Sequence, residues 1–133
     1  MKTETLRRAV EMAKKGSIFM VTADAAGMPH LAAAGTLNQT DESHVEVTDW
    51  FCPGSVANMR ENQGVSIVVY EPGKDFGYQL VGKALNVDEL GVLDGYSPEM
   101  EGREPLPQVL WRVKIEVDKI MAFKRAPHTD REE

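Results

Sequence analysis

The chain has 133 residues, 42% of them hydrophobic, and this size and composition fit one globular domain and exclude a disordered chain. Its formal net charge of −6 argues against nucleic acid as a partner, because phosphate backbones select clustered lysine and arginine. No apolar run is long enough to cross a bilayer, and Cys52 stands alone and cannot form an internal disulfide, so we expect a cytoplasmic protein without a membrane partner.

The N-terminal part of the chain predicts one amphipathic helix and two strands. Apolar residues recur at helical spacing over Glu4–Lys15, with charged residues between them. The β-branched and aromatic run Ser17–Ala23 then predicts a strand. The turn "DAAGMP" follows and leads into a returning strand over His30–Asn38.

Strand patterns dominate the rest of the chain, with one short helix among them. The apolar phase of the long strand slips near Gly82, which predicts a bulge. Residues 88–108 form an acidic excursion, and Arg125–Glu133 is polar and predicted to fray. The predicted elements are strands over His44–Asp49, Val65–Glu71, Tyr78–Val87 and Val109–Ala122, and a helix over Val56–Asn62.

The order of these elements indicates the fold class. Six strands linked mostly by hairpins, with two short helices, predict a mainly β protein built as a small antiparallel barrel. A parallel sheet is disfavoured, because it would need a crossover helix between most of its strands.

The stretch "WFCPGSVANMREN", Trp50–Asn62, has the features of a binding site. Small residues at the start of a helix can bind an anion, because free N–H groups and the positive end of the helix dipole meet there. Ser55 could be an N-cap or could hold a phosphate oxygen. Trp50 and Phe51 could close the barrel or form a wall against which a flat ring stacks. Cys52 could be a reactive thiol or a small packing residue.

Other kinds of site find little support in the sequence. The three histidines, His30, His44 and His128, lack the spacing of metal ligands, so no metal site is predicted. No nucleotide-binding glycine motif, no acid pair and no nucleophile motif is present, so no side chain is predicted to be catalytic.

Three stretches, taken with the order of elements, resemble the FMN-binding split-barrel family related to pyridoxamine 5′-phosphate oxidase. They are "DAAGMPHLA" at the first hairpin, "GSVANMRENQGVSIVV" from helix into strand, and "YQLVGKALNV" in the long strand. The resemblance spans roughly Gly16 to Phe123, and within the family the chain looks most similar to the small single-domain FMN-binding proteins.

The resemblance implies a six-stranded split barrel over residues 1–126, with a polar tail at 127–133. It also implies a homodimer with one FMN in each of two grooves between the subunits. Ser55 matches the position of the phosphate-binding hydroxyl, and Asn58 matches the asparagine of the helix. The residues that would line the flavin ring are Thr48, Asp49, Trp50 and Phe51.

The chain departs from the family pattern at two places. The lysine or arginine that binds the FMN phosphate is expected near Gly54 or Ser55, and none occurs among Trp50–Met59. The second strand carries Ala32–Ala34 where relatives have polar or basic side chains. The best substitute cations are Arg112 and Lys114 on the polar phase of the last strand, from the same or the partner subunit, and Lys83 is another.

The resemblance implies a flavin-binding oxidoreductase-like protein that passes electrons or hydride to an unidentified small molecule. The C-terminal arginine–histidine motif of true pyridoxamine 5′-phosphate oxidases is absent, so that activity is not expected. Two alternatives stay open. One is a non-enzymatic electron carrier that works with a protein partner, and the other is a split barrel that has lost FMN and binds another ligand.

Overall fold

A computed structural model describes residues 3–49, 53–93 and 108–133 of the chain. Within these ranges no helix is long and apolar enough to span a membrane. A 3₁₀ turn at Pro72–Lys74 connects the fifth and sixth strands. The helices are α1 (Thr3–Ala13) and α2 (Pro53–Glu61), and the strands are β1 (Ser17–Ala23), β2 (Pro29–Ala33), β3 (Thr36–Gln39), β4 (His44–Asp49), β5 (Gly64–Glu71), β6 (Phe76–Leu93), β7 (Gln108–Lys124) and β8 (Thr129–Glu132).

Helix α1 forms as the apolar spacing predicts. Its buried side chains all lie on one face and include Leu6, Ala9, Val10 and Ala13. The opposite face is charged, and Glu4 pairs with Arg7 there. The helix ends at Ala13, two residues earlier than predicted, and the amide of Gly16 donates to the carbonyl of Met12 at 2.9 Å.

All neighbouring strands are antiparallel and run in the order β2-β1-β5-β6-β7-β4-β3, with β8 beside β7. Strands β2 and β3 stand at opposite ends of this order, although only Ala34 and Gly35 separate them in the chain. The sheet must therefore curl until its two ends meet. This mainly β arrangement with two short helices fits a split barrel.

The described residues form eight strands rather than the six predicted. The strand predicted over His30–Asn38 is two strands, because the chain changes partner at the corner. Residues of β2 pair with β1, whereas residues of β3 pair with β4. Alternation of side chains does not reveal such a change, since both halves keep an extended backbone.

The eighth strand lies where the sequence predicts fraying. Thr129–Glu132 pair with Met121–Lys124 and continue the sheet. The turn before this strand is held from another part of the chain, because both carboxylate oxygens of Asp75 accept backbone hydrogen bonds there. The donors are the amides of Arg125 at 3.1 Å and Ala126 at 3.0 Å.

The predicted bulge near Gly82 is confirmed. The register of β6 against β7 shifts between Val81 and Gly82, which leaves Asp118 of β7 without a partner in the ladder. A Cβ atom on Gly82 would stand 1.9 Å from the carbonyl oxygen of Glu116, so only glycine allows this approach. The bulge bends the two longest strands and so helps the sheet to curl.

The core fills the inside of the curled sheet. Fully buried side chains of the central strands meet Leu6 of α1 there, and Met20, Ile67, Leu80, Val113, Ile115 and Ile120 are among them. Helix α2 packs on β1, β2 and β6. The start of α2 therefore lies near the β1–β2 hairpin.

The acidic stretch at residues 88–108, predicted as an excursion, is partly strand. Residues 88–93 continue β6, and residues 94–107 lie outside the described part of the chain.

Candidate functional site

Helix α2 begins at Pro53, three residues before the predicted start at Val56. Proline is well suited to the first turn of a helix, because its missing N–H would have no partner there. The earlier start places Ser55 inside the first turn rather than at the N-cap, so the capping interpretation of Ser55 is wrong. The first amides of a helix have no partner within the helix, so an acceptor outside it can bind them.

The hydroxyl of Ser55 is the most unusual polar group in the described residues. Ser55 is 0% exposed, and its Oγ has no hydrogen-bond partner among the described residues. A buried hydroxyl without a partner costs about 1–3 kcal/mol, and native proteins keep few of them. Such a group is well explained by a ligand that supplies the missing partner.

A side-chain hydrogen bond between α2 and β1 holds the helix beside this hydroxyl. The Nδ2 atom of Asn58 donates to Oγ1 of Thr22 at 3.1 Å, and Thr22 is only 1% exposed. One turn later, Nδ2 of Asn62 donates to the carbonyl oxygen of Asp24 at 3.2 Å. The side chain of Asn58, predicted to bind the cofactor, is thus already engaged in positioning the helix.

His30 stands at the start of α2. It is directly opposite Thr22 in the β1–β2 ladder, so the two side chains share one face of the sheet. Its Nε2 atom is 4.0 Å from the place that a Cβ atom on Gly54 would take. We call Thr22, His30, Gly54, Ser55 and Asn58 the α2 cluster.

The predicted residues of β4 and β7 form a separate group. Thr48 is half-buried and pairs with Arg112 across the β4–β7 ladder. Arg112 is exposed, and its Nη2 atom lies 3.6 Å from Oδ2 of Asp88. The backbone of Asp49 pairs with that of Trp111, and the Asp49 side chain lies outside the described part of the structure. We call Thr48 and Arg112 the β4–β7 patch.

In the described ranges, no hydrogen bond or ion pair links the α2 cluster to the β4–β7 patch. Trp50 and Phe51, predicted to shield the flavin ring, lie outside the described residues. Trp111 pairs with Asp49 at the end of β4, and its ring centroid lies 5.3 Å from the guanidinium carbon of Arg60 in the last turn of α2.

Two members of the α2 cluster were missed by reasoning from sequence. Thr22 falls in the same strand phase as the buried residues Ile18 and Met20, so a threonine turned inward was the available signal. His30 gave no such signal. Its position beside α2 depends on the β1–β2 register and on the packing of α2, which join residues far apart in the chain.

No protein-family model and no curated protein matches the chain, whereas solved structures do. HupZ of Group A Streptococcus is 16% identical with a TM-score of 0.61, and the match covers 93% of this chain and 96% of that one. A Clostridium acetobutylicum protein of the pyridoxinephosphate oxidase family, related to general stress protein 26, is 13% identical with a TM-score of 0.61, covering 99% and 96%. A pyridoxamine 5′-phosphate oxidase-related, FMN-binding protein of Nostoc punctiforme is 8% identical with a TM-score of 0.63, covering 97% and 87%.

These similarities establish the fold. The structural neighbours are proteins of the pyridoxamine 5′-phosphate oxidase-like split-barrel type, which confirms the resemblance suggested by the three sequence stretches. Identities of this size say nothing about which ligand the chain binds, so its chemistry must be argued from its own residues.

Proposed function

We propose that this chain binds FMN with the phosphate at the α2 cluster, and that it passes electrons or hydride to a small molecule as a homodimer. The observation that carries the proposal is the buried, partnerless Oγ of Ser55 in the first turn of α2. The split-barrel fold, shared with a structure described as FMN-binding, supports the same ligand.

The residues of the α2 cluster fit a phosphate group. A turn of Ser55 about χ1 to another staggered rotamer would aim its hydroxyl outward, and a phosphate oxygen would then accept from it. Gly54 is exposed and leaves the backbone open to a close approach. His30 can donate a hydrogen bond where the family has lysine or arginine. Asn58 acts as a positioning residue through Thr22.

The ring would lie away from the phosphate, towards the end of β4. Asp49, Trp50 and Phe51 would line this part of the groove, with the β4–β7 patch of the same or the partner subunit. Bound FMN supplies the redox chemistry, so no side chain of this chain has to serve as acid or base. The side chains bind the cofactor, orient it and control access to it.

A second copy of the chain would complete the groove. Strand β2 is an edge strand, and Leu31 on it is 59% exposed while Met28 just before it is 67% exposed. Large apolar side chains on an exposed edge favour pairing with another molecule. We therefore place the dimer contact at β2, beside the α2 cluster.

The first test is an absorbance spectrum of the purified protein with and without added FMN. Bound flavin whose absorbance is bleached by NADH or NADPH supports the oxidoreductase. Bound flavin that neither nucleotide reduces, but that a chemical reductant bleaches, points to the electron carrier. Riboflavin is the matched control, because it has the ring without the phosphate and should bind at least tenfold more weakly if the phosphate contributes about 1.4 kcal/mol.

A protein that binds neither FMN nor riboflavin would exclude both flavin functions. In that case the sequence favours a split barrel that has lost FMN, because lysine and arginine are absent among Trp50–Met59 and residues 32–34 are alanines. The chain would then be a split barrel that binds another phosphorylated ligand. Inorganic phosphate added to the same protein would test that possibility by the shift it produces in the amide resonances of Gly54 and Ser55.

A further inference from the structure

A cleft lies where the ends of β5 and β7 meet the turn into β8. Its volume is about 440 Å³, and it is lined by Tyr70, Phe123, Lys124, Arg125, His128, Thr129 and Asp130. Tyr70 pairs with Ser17 at the start of β1, whereas the α2 cluster begins at Thr22 near the end of that strand. Five residues of extended chain span about 16 Å, so this cleft is separate from the proposed phosphate site. We call it the β8 cleft.

Two aromatic rings form one wall of the β8 cleft. The rings of Tyr70 and Phe123 are stacked, with centroids 5.6 Å apart and planes inclined by 18°. Phe123 lies over Gly77, where any Cβ atom would come within 2.4 Å of the ring. The hydroxyl of Tyr70 donates to Oδ1 of Asp75 at 3.0 Å. Both rings are therefore held in place. Because they stack on each other, the pair offers a ligand ring only an outer face.

The rest of the cleft is polar. Lys124 and Arg125 line it together with His128 and the carboxylate of Asp130. Among the described residues, neither Lys124 nor Arg125 has an ion-pair partner within 4.0 Å. The nearby carboxylate of Asp75 is occupied by the Tyr70 hydroxyl and two backbone amides. The ammonium of Lys124 and the guanidinium of Arg125 are therefore open to an anionic group of a ligand.

We propose that the β8 cleft binds a flat aromatic ring that carries a carboxylate or a phosphate. The ring stacks on the outer face of the Tyr70–Phe123 pair, and the anionic group meets the guanidinium of Arg125 and the ammonium of Lys124. Arginine suits this role, because its planar fork matches the oxygens of either group. The inference concerns a second ligand and does not depend on flavin binding at the α2 cluster.

The test uses small probes that separate the contributions of ring and charge. 2-Naphthoate and 2-naphthyl phosphate carry both, 2-naphthalenemethanol has only the ring, and cyclohexanecarboxylate has only the charge. Each is titrated into the full chain while the resonances of Tyr70 and Phe123 are followed by NMR. We expect one of the two naphthyl anions to bind with a Kd of about 1 mM or tighter, and the other two probes to bind at least about tenfold more weakly.

Variants then locate the probe. Arg125→Gln should weaken binding about tenfold, the loss of one charge-assisted hydrogen bond, while Lys119→Gln removes an equal charge outside the cleft and should have no effect. His30→Gln tests the α2 cluster as the alternative location. The proposal would be overturned if Lys119→Gln weakened probe binding as much as Arg125→Gln does. It would also be overturned if His30→Gln weakened probe binding and Arg125→Gln did not. Binding of cyclohexanecarboxylate as tight as that of 2-naphthoate would overturn it as well.

Discussion

A capping serine stabilises the folded chain, whereas we expect the hydroxyl of Ser55 to destabilise it when no ligand is bound. This buried hydroxyl has no partner among the described residues, so removing it relieves a cost rather than losing a hydrogen bond. Alanine also has the higher helix propensity. We expect Ser55→Ala to raise the free energy of unfolding without ligand by about 0.5–1 kcal/mol, measured by urea denaturation.

The same substitution should weaken FMN binding. Loss of one hydrogen bond to the phosphate corresponds to about 1–2 kcal/mol, measured by fluorescence titration of the flavin. Ser66→Ala is the matched control, because Ser66 is also buried but its Oγ accepts from Nε2 of Gln79. That control should lower stability and leave FMN affinity unchanged. A Ser55→Ala protein with unchanged FMN affinity would remove the hydroxyl from the proposed phosphate site.

His30 should contribute to the same site through its ring nitrogen. Its Nε2 atom lies next to Gly54, and a donor at this place can reach an anion held by the first turn of α2. We expect His30→Ala to weaken FMN binding about tenfold with little change in stability, since His30 is exposed. His128→Ala, an exposed histidine at the β8 cleft, should leave FMN affinity as it is.

At the scale of elements, the bulge that joins β6 to β7 depends on one glycine. A methyl group on Gly82 would overlap the carbonyl oxygen of Glu116, which is backbone and cannot move alone. We expect Gly82→Ala to lower the free energy of unfolding by about 1–3 kcal/mol or more, measured by thermal or urea denaturation. Gly73→Ala is the control, because nothing lies within 4 Å of its Cβ position. Equal, small effects of the two changes would contradict this account of the bulge.

The connection between β6, β7 and β8 should weaken in acid. Hydrogen bonds from the Arg125 amide, the Tyr70 hydroxyl and the Ala126 amide hold the pKa of the Asp75 carboxyl below its usual range. A lowered pKa means that the ionised form is favoured by folding. The stabilisation is therefore complete above the ordinary pKa of about 4 and is lost as the pH falls through the lowered value.

The variant Asp75→Asn isolates this effect. It should be less stable than the wild type at neutral pH, and the difference should shrink as the pH falls below about 4. Urea denaturation at a series of pH values measures both. Asp118→Asn is the control, because Asp118 is exposed and has no hydrogen bond among the described side chains. If the difference in free energy of unfolding between wild type and Asp75→Asn stayed constant with pH, the role of the ionised carboxylate would be contradicted.

The sequence predicts those elements whose periodicity is local. Ser17–Ala23 and His44–Asp49 are strands as predicted, because alternation and β-branched residues are read within the segment itself. Two features could not be predicted in this way. The corner between β2 and β3 is a change of pairing partner, and β8 is held by Asp75, which lies about 50 residues earlier in the chain. The α2 cluster follows the same rule, since Ser55 can be singled out within its own segment, whereas the place of His30 beside it depends on distant pairing.

At the scale of the whole molecule, the curled sheet keeps its two proposed sites apart. The α2 cluster lies by the β1–β2 hairpin, and the β8 cleft lies at the other end of β1. Only the first is next to the exposed edge strand β2. A dimer formed through β2 would therefore complete the flavin groove and leave the β8 cleft open to solvent. Oligomeric state and FMN affinity should then change together.

Leu31→Lys tests this coupling. Leu31 is 59% exposed on β2, so the change should not disturb the core of one subunit, but it would place a charge in the proposed interface. We expect the variant to elute as a monomer in size-exclusion chromatography with light scattering, and to bind FMN at least about tenfold more weakly than the wild type. Leu85→Lys is the matched control, because Leu85 is 40% exposed on β6, away from the sheet edge. A monomeric Leu31→Lys protein with unchanged FMN affinity would show that one subunit holds the cofactor alone, whereas a dimeric one would place the contact elsewhere on the barrel.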